Sequence, residues 1–230
     1  MASTNPLIIA LDVETTEEAR RIINAVGTAA EFYKVGMELY AVGGMGFVYD
    51  LMQSGKRVFL DLKLYDISET VKRATRHIAR SGVAFLTVHG SRAVMKAAVE
   101  GRGDSGTQLL AVTVLTSFDQ EDLADLGYPT PIEDLVALRV RKAVESGIDG
   151  VVCSPLEVAK VREIGGPGLK LVTPGVRSAG APTGDQKRVA TAADAIANGA
   201  DYVVVGRQVT RAADPRIACE QILAEIAAVA

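Results

Sequence analysis

The chain of 230 residues has little of what would bind it to a polyanion, a bilayer or a metal cluster. Lys and Arg number 25 against 28 Asp and Glu, a formal net charge of -3, so the basic excess expected of a nucleic-acid binder or a polybasic membrane protein is missing. No apolar run approaches the ~18 residues that span a bilayer. The apolar stretch at residues 6–11 is too short for a secretory signal, lacks a basic flank and meets its first charge at Asp12. Only two cysteines occur, Cys153 and Cys219, without metal-ligand spacing, which argues against a disulfide framework or zinc cluster. Domain linkers and low-complexity tails are also lacking. The expectation is one domain over residues 1–230, cytoplasmic, with no nucleic-acid or membrane partner.

Apolar residues are plentiful at 48%, enough for a large core. They fall into short runs at residues 7–11, 32–36, 58–62, 85–89, 109–114, 150–153, 169–173 and 202–206. Successive starts lie 25, 26, 27, 24, 41, 19 and 33 residues apart, room for a helix between most pairs, as parallel crossovers require. Eight such units predict an α/β protein, a single-domain (β/α)8 TIM barrel. Helix-start chemistry agrees: Thr15 with Glu18, Ser154 with Pro155 and Glu157, and Asp214 before Pro215. Gly27 and Gly147 sit where helices should end. The 41-residue interval leaves space for a short helix at 120–125 before a main one at 131–146, and the 33-residue interval holds a Gly/Pro/Ser/Thr-rich loop at 174–188.

Active sites of this architecture lie at the carboxyl ends of the strands. Here those ends are charged: Asp12 closes the first strand, Lys34 lies in the second, Asp61 and Lys63 in the third, and Asp66 just beyond it. Strand alternation puts Asp61 and Lys63 on one side, inward if either points inward. Such a pair is costly without further partners, which Lys34 and Asp66 can supply. One stabilising ion pair would explain any of these residues singly, but four at adjacent strand ends fit a site better.

The run Asp61-Leu62-Lys63-Leu64-Tyr65-Asp66-Ile67 resembles the D-x-K-x-x-D-I signature of the orotidine 5'-phosphate decarboxylase family. Ala10-Leu11-Asp12, Lys34-Val35-Gly36, Thr113-Val114-Leu115-Thr116-Ser117, Thr173-Pro174-Gly175-Val176-Arg177, Asp185-Gln186-Lys187-Arg188 and Val205-Gly206-Arg207 follow the family's order. The resemblance runs from about Leu7 to the last helix. One departure is Ser68-Glu69 where the family commonly has Pro-Asn, which removes a stiffening proline.

The resemblance implies a cofactor-free and metal-free conversion of orotidine 5'-monophosphate to uridine 5'-monophosphate in pyrimidine biosynthesis. Loss of carbon dioxide from C6 leaves an in-plane electron pair that the ring cannot delocalise, so a fixed ammonium is needed. Lys63 is the candidate, as stabiliser and as proton donor. Asp61 and Asp66 would keep it charged, and Lys34 would hold Asp61 and reach the ribose. By resemblance, Asp12 and Thr70 bind ribose hydroxyls and Thr116 contacts the base. Gly206 and Arg207, with Arg177 and Gln186 from the long loop, form the phosphate site expected after the last two strands. The family also implies a two-fold homodimer in which Asp66, Ile67 and Thr70 complete the neighbour's site.

His89, ending the fourth strand, is expected to be a hydrogen-bonded lining residue, and His77 to be exposed. Arg102-Gly103-Asp104-Ser105 reads as a turn. The alternatives are a magnesium-dependent sugar-phosphate decarboxylase or aldolase on the same barrel, and a noncatalytic phosphate-ligand sensor.

Overall fold

The computed structural model describes residues 5–178 and 190–229. The chain runs β1 (Leu7–Ala10), α1 (Thr16–Val26), β2 (Phe32–Gly36), α2 (Met37–Gln53), β3 (Arg57–Leu64), α3 (Ser68–Ala79), β4 (Phe85–His89), α4 (Arg92–Arg102) and β5 (Gln108–Val112). It continues through α5 (Gln120–Asp125), α6 (Ile132–Ser146), β6 (Gly150–Val152), α7 (Val158–Gly165), β7 (Lys170–Thr173), α8 (Ala192–Ala197), β8 (Tyr202–Val205), α9 (Arg207–Thr210) and α10 (Pro215–Ala227). The strands are parallel and pair in chain order, and β1 closes on β8 with Leu7 opposite Val203 and Ile9 opposite Val205, giving a (β/α)8 barrel.

The period-two alternation of the strands divides the core in two. Leu7, Ile9 and Leu11 pack outward beneath the helices, whereas Ile8 and Ala10 point inward. Phe32, Phe59, Phe85 and Tyr202 fill the interior, with Phe85 centred 5.0 Å from Phe32 and 5.3 Å from Tyr202. Arg57 lies over the Phe32 ring at 4.1 Å, where β3 begins. Apolar packing thus plugs the amino end of the barrel, and polar side chains collect at the other.

Local chemistry explains the helix boundaries. Thr15 accepts from Glu18 N at 3.1 Å, Asp214 accepts from Arg216 N and Ile217 N, and Gly147 ends α6 in the left-handed region. The short helix at 120–125 forms where expected, started by a capping box between Asp119 and Asp122. Ser154 and Glu157 differ from expectation. Glu157 accepts from Ser154 N and Ser154 Oγ from Leu156 N, so both side chains are used in a turn and α7 starts only at Val158. Helix α2 is kinked at Gly44, whose φ of 53° and ψ of -158° interrupt the helical path. Among the described residues no helix is long and apolar enough to cross a membrane.

Candidate active site

A cavity of about 610 Å³ opens at the carboxyl end of the barrel. Its lining includes Asp12, Lys34, Asp61 and Lys63 on one side, Thr116 and Ser117 from the segment after β5, and Arg177, Gly206 and Arg207 beyond β7 and β8. Eight residues singled out from the sequence therefore line one space.

The charges form a linked array. Lys34 Nζ lies 2.7 Å from Asp12 Oδ1 and 3.5 Å from Asp61 Oδ2. Lys63 Nζ donates to both Asp61 carboxylate oxygens at 2.9 Å. Thr87, on β4, donates its hydroxyl to Asp61 Oδ1 at 2.8 Å and accepts from the Lys63 main-chain N–H at 2.9 Å. Burial alone would push the Asp61 carboxyl up, but Lys34, then Lys63, with the Lys63 and Thr87 hydrogen bonds, hold it below the usual carboxylate value. Burial likewise opposes charge on Lys34. Asp61 and then Asp12 outweigh it, and the ammonium sits above the ordinary lysine value. Lys34 and Asp61 are both buried, whereas the Lys63 side chain is 34% exposed and is the more open of the two lysines in the array.

Regular alternation does not bring Asp61 and Lys63 together as expected. The pairing of β3 with β4 slips between Leu60 and Leu64, and Lys63 has a φ of 48°, the one positive value among described residues other than glycine. The strand is irregular at the residue whose ammonium meets the carboxylate, a place where strain and function commonly coincide.

On the other side, Gly206 precedes α9 and places Arg207 at its first position. Arg177 N donates to Ala190 O at 2.9 Å, and Val176 bridges Ala190, tying together the two described ends of the long loop. Gln186 and the middle of that loop lie outside the described residues. Thr116 is buried.

The profile of the orotidine 5'-phosphate decarboxylase / HUMPS family matches residues 5–222. The chain belongs to this family. An orotidine 5'-phosphate decarboxylase of Rhodopseudomonas palustris (strain BisB5) is 53% identical over 226 residues, 98% of this chain and 96% of the relative. One from Bradyrhizobium sp. (strain ORS 278) is 53% identical over 227 residues, 99% and 93% of the two chains. The crystal structure of orotidine 5'-phosphate decarboxylase from Lactobacillus acidophilus matches with a TM-score of 0.85 at 37% identity, covering 97% of this chain and 99% of that one.

Three residues of the family signature region stay out of the cavity of their own barrel. Asp66 is exposed and accepts from Ile67 N at 2.6 Å, Ile67 is 71% exposed, and neither they nor the half-buried Thr70 line the cavity. Ser68 and Glu69, where the family commonly has Pro-Asn, form the first turn of α3, with Glu69 suited to the positive end of the helix.

His89 also departs from expectation. Its ring stacks on Tyr65 with centroids 4.1 Å apart, and its buried Nδ1 has no hydrogen-bond partner among the described residues. Burial, then the Arg139 charge, push its pKa down to about 4. It is a packed aromatic ring, outside the cavity lining. His77 is exposed and Gly103-Asp104 form a turn, as read from the sequence.

Residues without any distinctive motif also shape the site. Thr87 joins Asp61 to the Lys63 backbone. A Cβ on Gly36 would stand 2.9 Å from Asp12 Oδ1 and 3.1 Å from Lys34 Nζ, so that glycine leaves room for their contact. Arg139 on α6 donates to Thr113 O, three residues before Thr116, and also to the Tyr128 hydroxyl at 3.4 Å.

Proposed function

We propose that the chain decarboxylates orotidine 5'-monophosphate to uridine 5'-monophosphate in pyrimidine biosynthesis. The observation that carries this reading is the ammonium of Lys63, held on buried Asp61 and facing a cavity that has two arginines on its far side. Membership of the family and the names of its relatives support the same substrate.

Arg177, Gly206 and Arg207, with Gln186, take the phosphate, and Thr116 contacts the base. Lys34 and Asp12 reach the ribose, and Asp61 borders both ribose and reacting carbon. The base is thereby oriented with C6 beside Lys63. The C6–carboxylate bond breaks heterolytically, carbon dioxide departs, and the electron pair stays on C6. An ammonium ~4 Å away at an effective dielectric of ~20 contributes on the order of 4 kcal/mol against that charge before desolvation. Lys63 Nζ then gives a proton to C6 and recovers one from water. Asp61, fixed by Lys34 and Thr87, holds the Lys63 ammonium in place.

The active form is a two-fold homodimer in the cytoplasm, one catalytic domain per chain, with Asp66, Ile67 and Thr70 completing the site of the second copy. The outward position of that segment supports this arrangement. The reaction uses no metal or other cofactor, and the protein binds neither nucleic acid nor membrane.

The test is an absorbance assay of orotidine 5'-monophosphate loss, with and without chelator, on wild type and Lys63→Ala. Wild type should turn over in chelator, and Lys63→Ala should lose turnover while still binding uridine 5'-monophosphate. Near wild-type turnover by Lys63→Ala would overturn the mechanism. Activity abolished by chelator and restored by magnesium would favour the metal-dependent sugar-phosphate enzymes of the same barrel.

A further inference from the structure

The phosphate side of the cavity is backed by a hydrogen-bond cluster with no part in the reaction above. Ser178 follows Arg177 in the chain, and Gln208 follows Arg207. These two following residues are bonded to each other twice. Ser178 N donates to Gln208 Oε1 at 3.1 Å, and Gln208 Nε2 donates to Ser178 Oγ at 2.5 Å. The Ser178 hydroxyl in turn donates to the carboxylate of Glu225, on α10, at 2.8 and 3.0 Å. The bonding is self-consistent: the hydroxyl proton goes to Glu225, its lone pair receives the amide N–H, and the amide oxygen receives the main-chain N–H. All three residues are partly buried.

The position of this cluster matters because the sheet does not reach the arginines. The β7–β8 ladder pairs Val172 with Tyr202 and Thr173 with Val203 and goes no further. Arg177 and Arg207 leave that ladder on separate segments, and Arg177 Nη1 donates to the Val176 carbonyl at 2.7 Å, so its side chain is tied to the backbone that carries it. We infer that Ser178, Gln208 and Glu225 are positioning residues that fix the separation of Arg177 and Arg207, and so select phosphorylated over unphosphorylated ligands. The inference rests on the phosphate site proposed above. A pair of arginines whose backbones are fixed relative to one another before binding avoids an ordering cost that a loose pair would incur. The same cluster joins the root of the long loop to the terminal helix.

The experiment compares the affinities of uridine 5'-monophosphate and uridine by calorimetry and NMR titration, with thermal melts of each protein. Gln208→Leu, which keeps the bulk but loses both amide bonds, and the milder Ser178→Ala should each lower the nucleotide-over-nucleoside affinity ratio about tenfold, by misplacing the arginines. Glu225→Leu should do the same, and Glu225→Gln, which keeps an acceptor for the hydroxyl, should recover most of that loss. In steady-state turnover the loss should fall on KM rather than kcat. Arg207→Ala is the control. If Arg207→Ala selectively weakens the nucleotide while Gln208→Leu and Ser178→Ala weaken neither ligand, or both alike, the positioning role is wrong and the phosphate site stands. If Arg207→Ala itself weakens both ligands equally, the phosphate-site reading fails and the inference falls with it.

Discussion

Replacing Asp61 by asparagine removes an anion shared by two ammonium groups. Lys63 Nζ is 2.9 Å away and Lys34 Nζ 3.5 Å away, so each attraction is on the order of 5 kcal/mol at an effective dielectric of ~20, before desolvation is subtracted. Lys63 is partly solvated and can turn to water. Among the described residues Lys34, with a side chain 10% exposed, then keeps Asp12 as its anionic partner, whose own side chain is 54% exposed. Removing one partner of a buried pair typically costs about 3–5 kcal/mol, which in a chain of this length corresponds to a Tm decrease on the order of 10 °C. The pH dependence has a definite sign. In the wild type the depressed Asp61 value stabilises the fold above the unfolded pKa of 3.8, and that contribution is lost as pH falls through the folded value. The raised Lys34 value stabilises the fold below 10.5, and that contribution is lost as pH rises through the folded value. In Asp61→Asn, burial acts on Lys34 with Asp61 no longer opposing it, so its folded value falls from the wild-type position and the difference in stability shrinks as pH rises through the two folded values. Urea unfolding followed by circular dichroism, on both proteins at pH 7 and near pH 10, should therefore show a large gap that narrows at the higher pH. A loss below about 1 kcal/mol at pH 7, the size of an exposed pair, would refute the reasoning, as would a gap independent of pH.

The dimer can be tested by mixing inactive Asp66→Ala and Lys63→Ala chains and letting subunits exchange. Random pairing makes about half the dimers hybrids, each with one intact site of two, so activity should return to about a quarter of wild type. Hybrids seen by mass spectrometry without activity would place Asp66 outside the neighbour's site. For His89, an NMR titration should show the ring neutral down to about pH 4. Because its folded value is depressed, it contributes stability that is present above pH 6.5 and fades as pH falls toward 4, and a titration midpoint near 6.5 would contradict the partial burial of the ring.

All eight strands were legible because each is a short apolar run whose alternate residues face two different cores, so the run survives in sequence as a block. The short α5 was legible for a different reason: the interval before the sixth strand was too long for one helix. Interruptions within elements were harder to read. The turn at Ser154 and the helix start after it use the same residue types, and only the hydrogen-bond geometry shows that Glu157 is committed to the turn. The slip in β3 leaves no mark on composition, since Leu-Lys-Leu reads as ordinary alternation. Among site residues, charged groups at strand ends stood out against an apolar background. Thr87 and Gly36 did not, because a threonine in a strand and a glycine at its end are ordinary, and their contribution depends on what the neighbouring strands set beside them. His89 was misread because sequence reveals a polar ring at a strand end but not the tyrosine that covers it.

The left-handed backbone at Lys63 also bears on attempts to stabilise this protein. A non-glycine residue in that region costs about 1–2 kcal/mol relative to glycine, so glycine at position 63 would ease the backbone while giving up the ion pair with Asp61. Such a replacement would relax β3 and, under the mechanism proposed, delete the proton donor. Thermal resistance gained or lost at this position is therefore no guide to turnover under the mechanism proposed, because a relaxed backbone and the chemistry make opposite demands on residue 63.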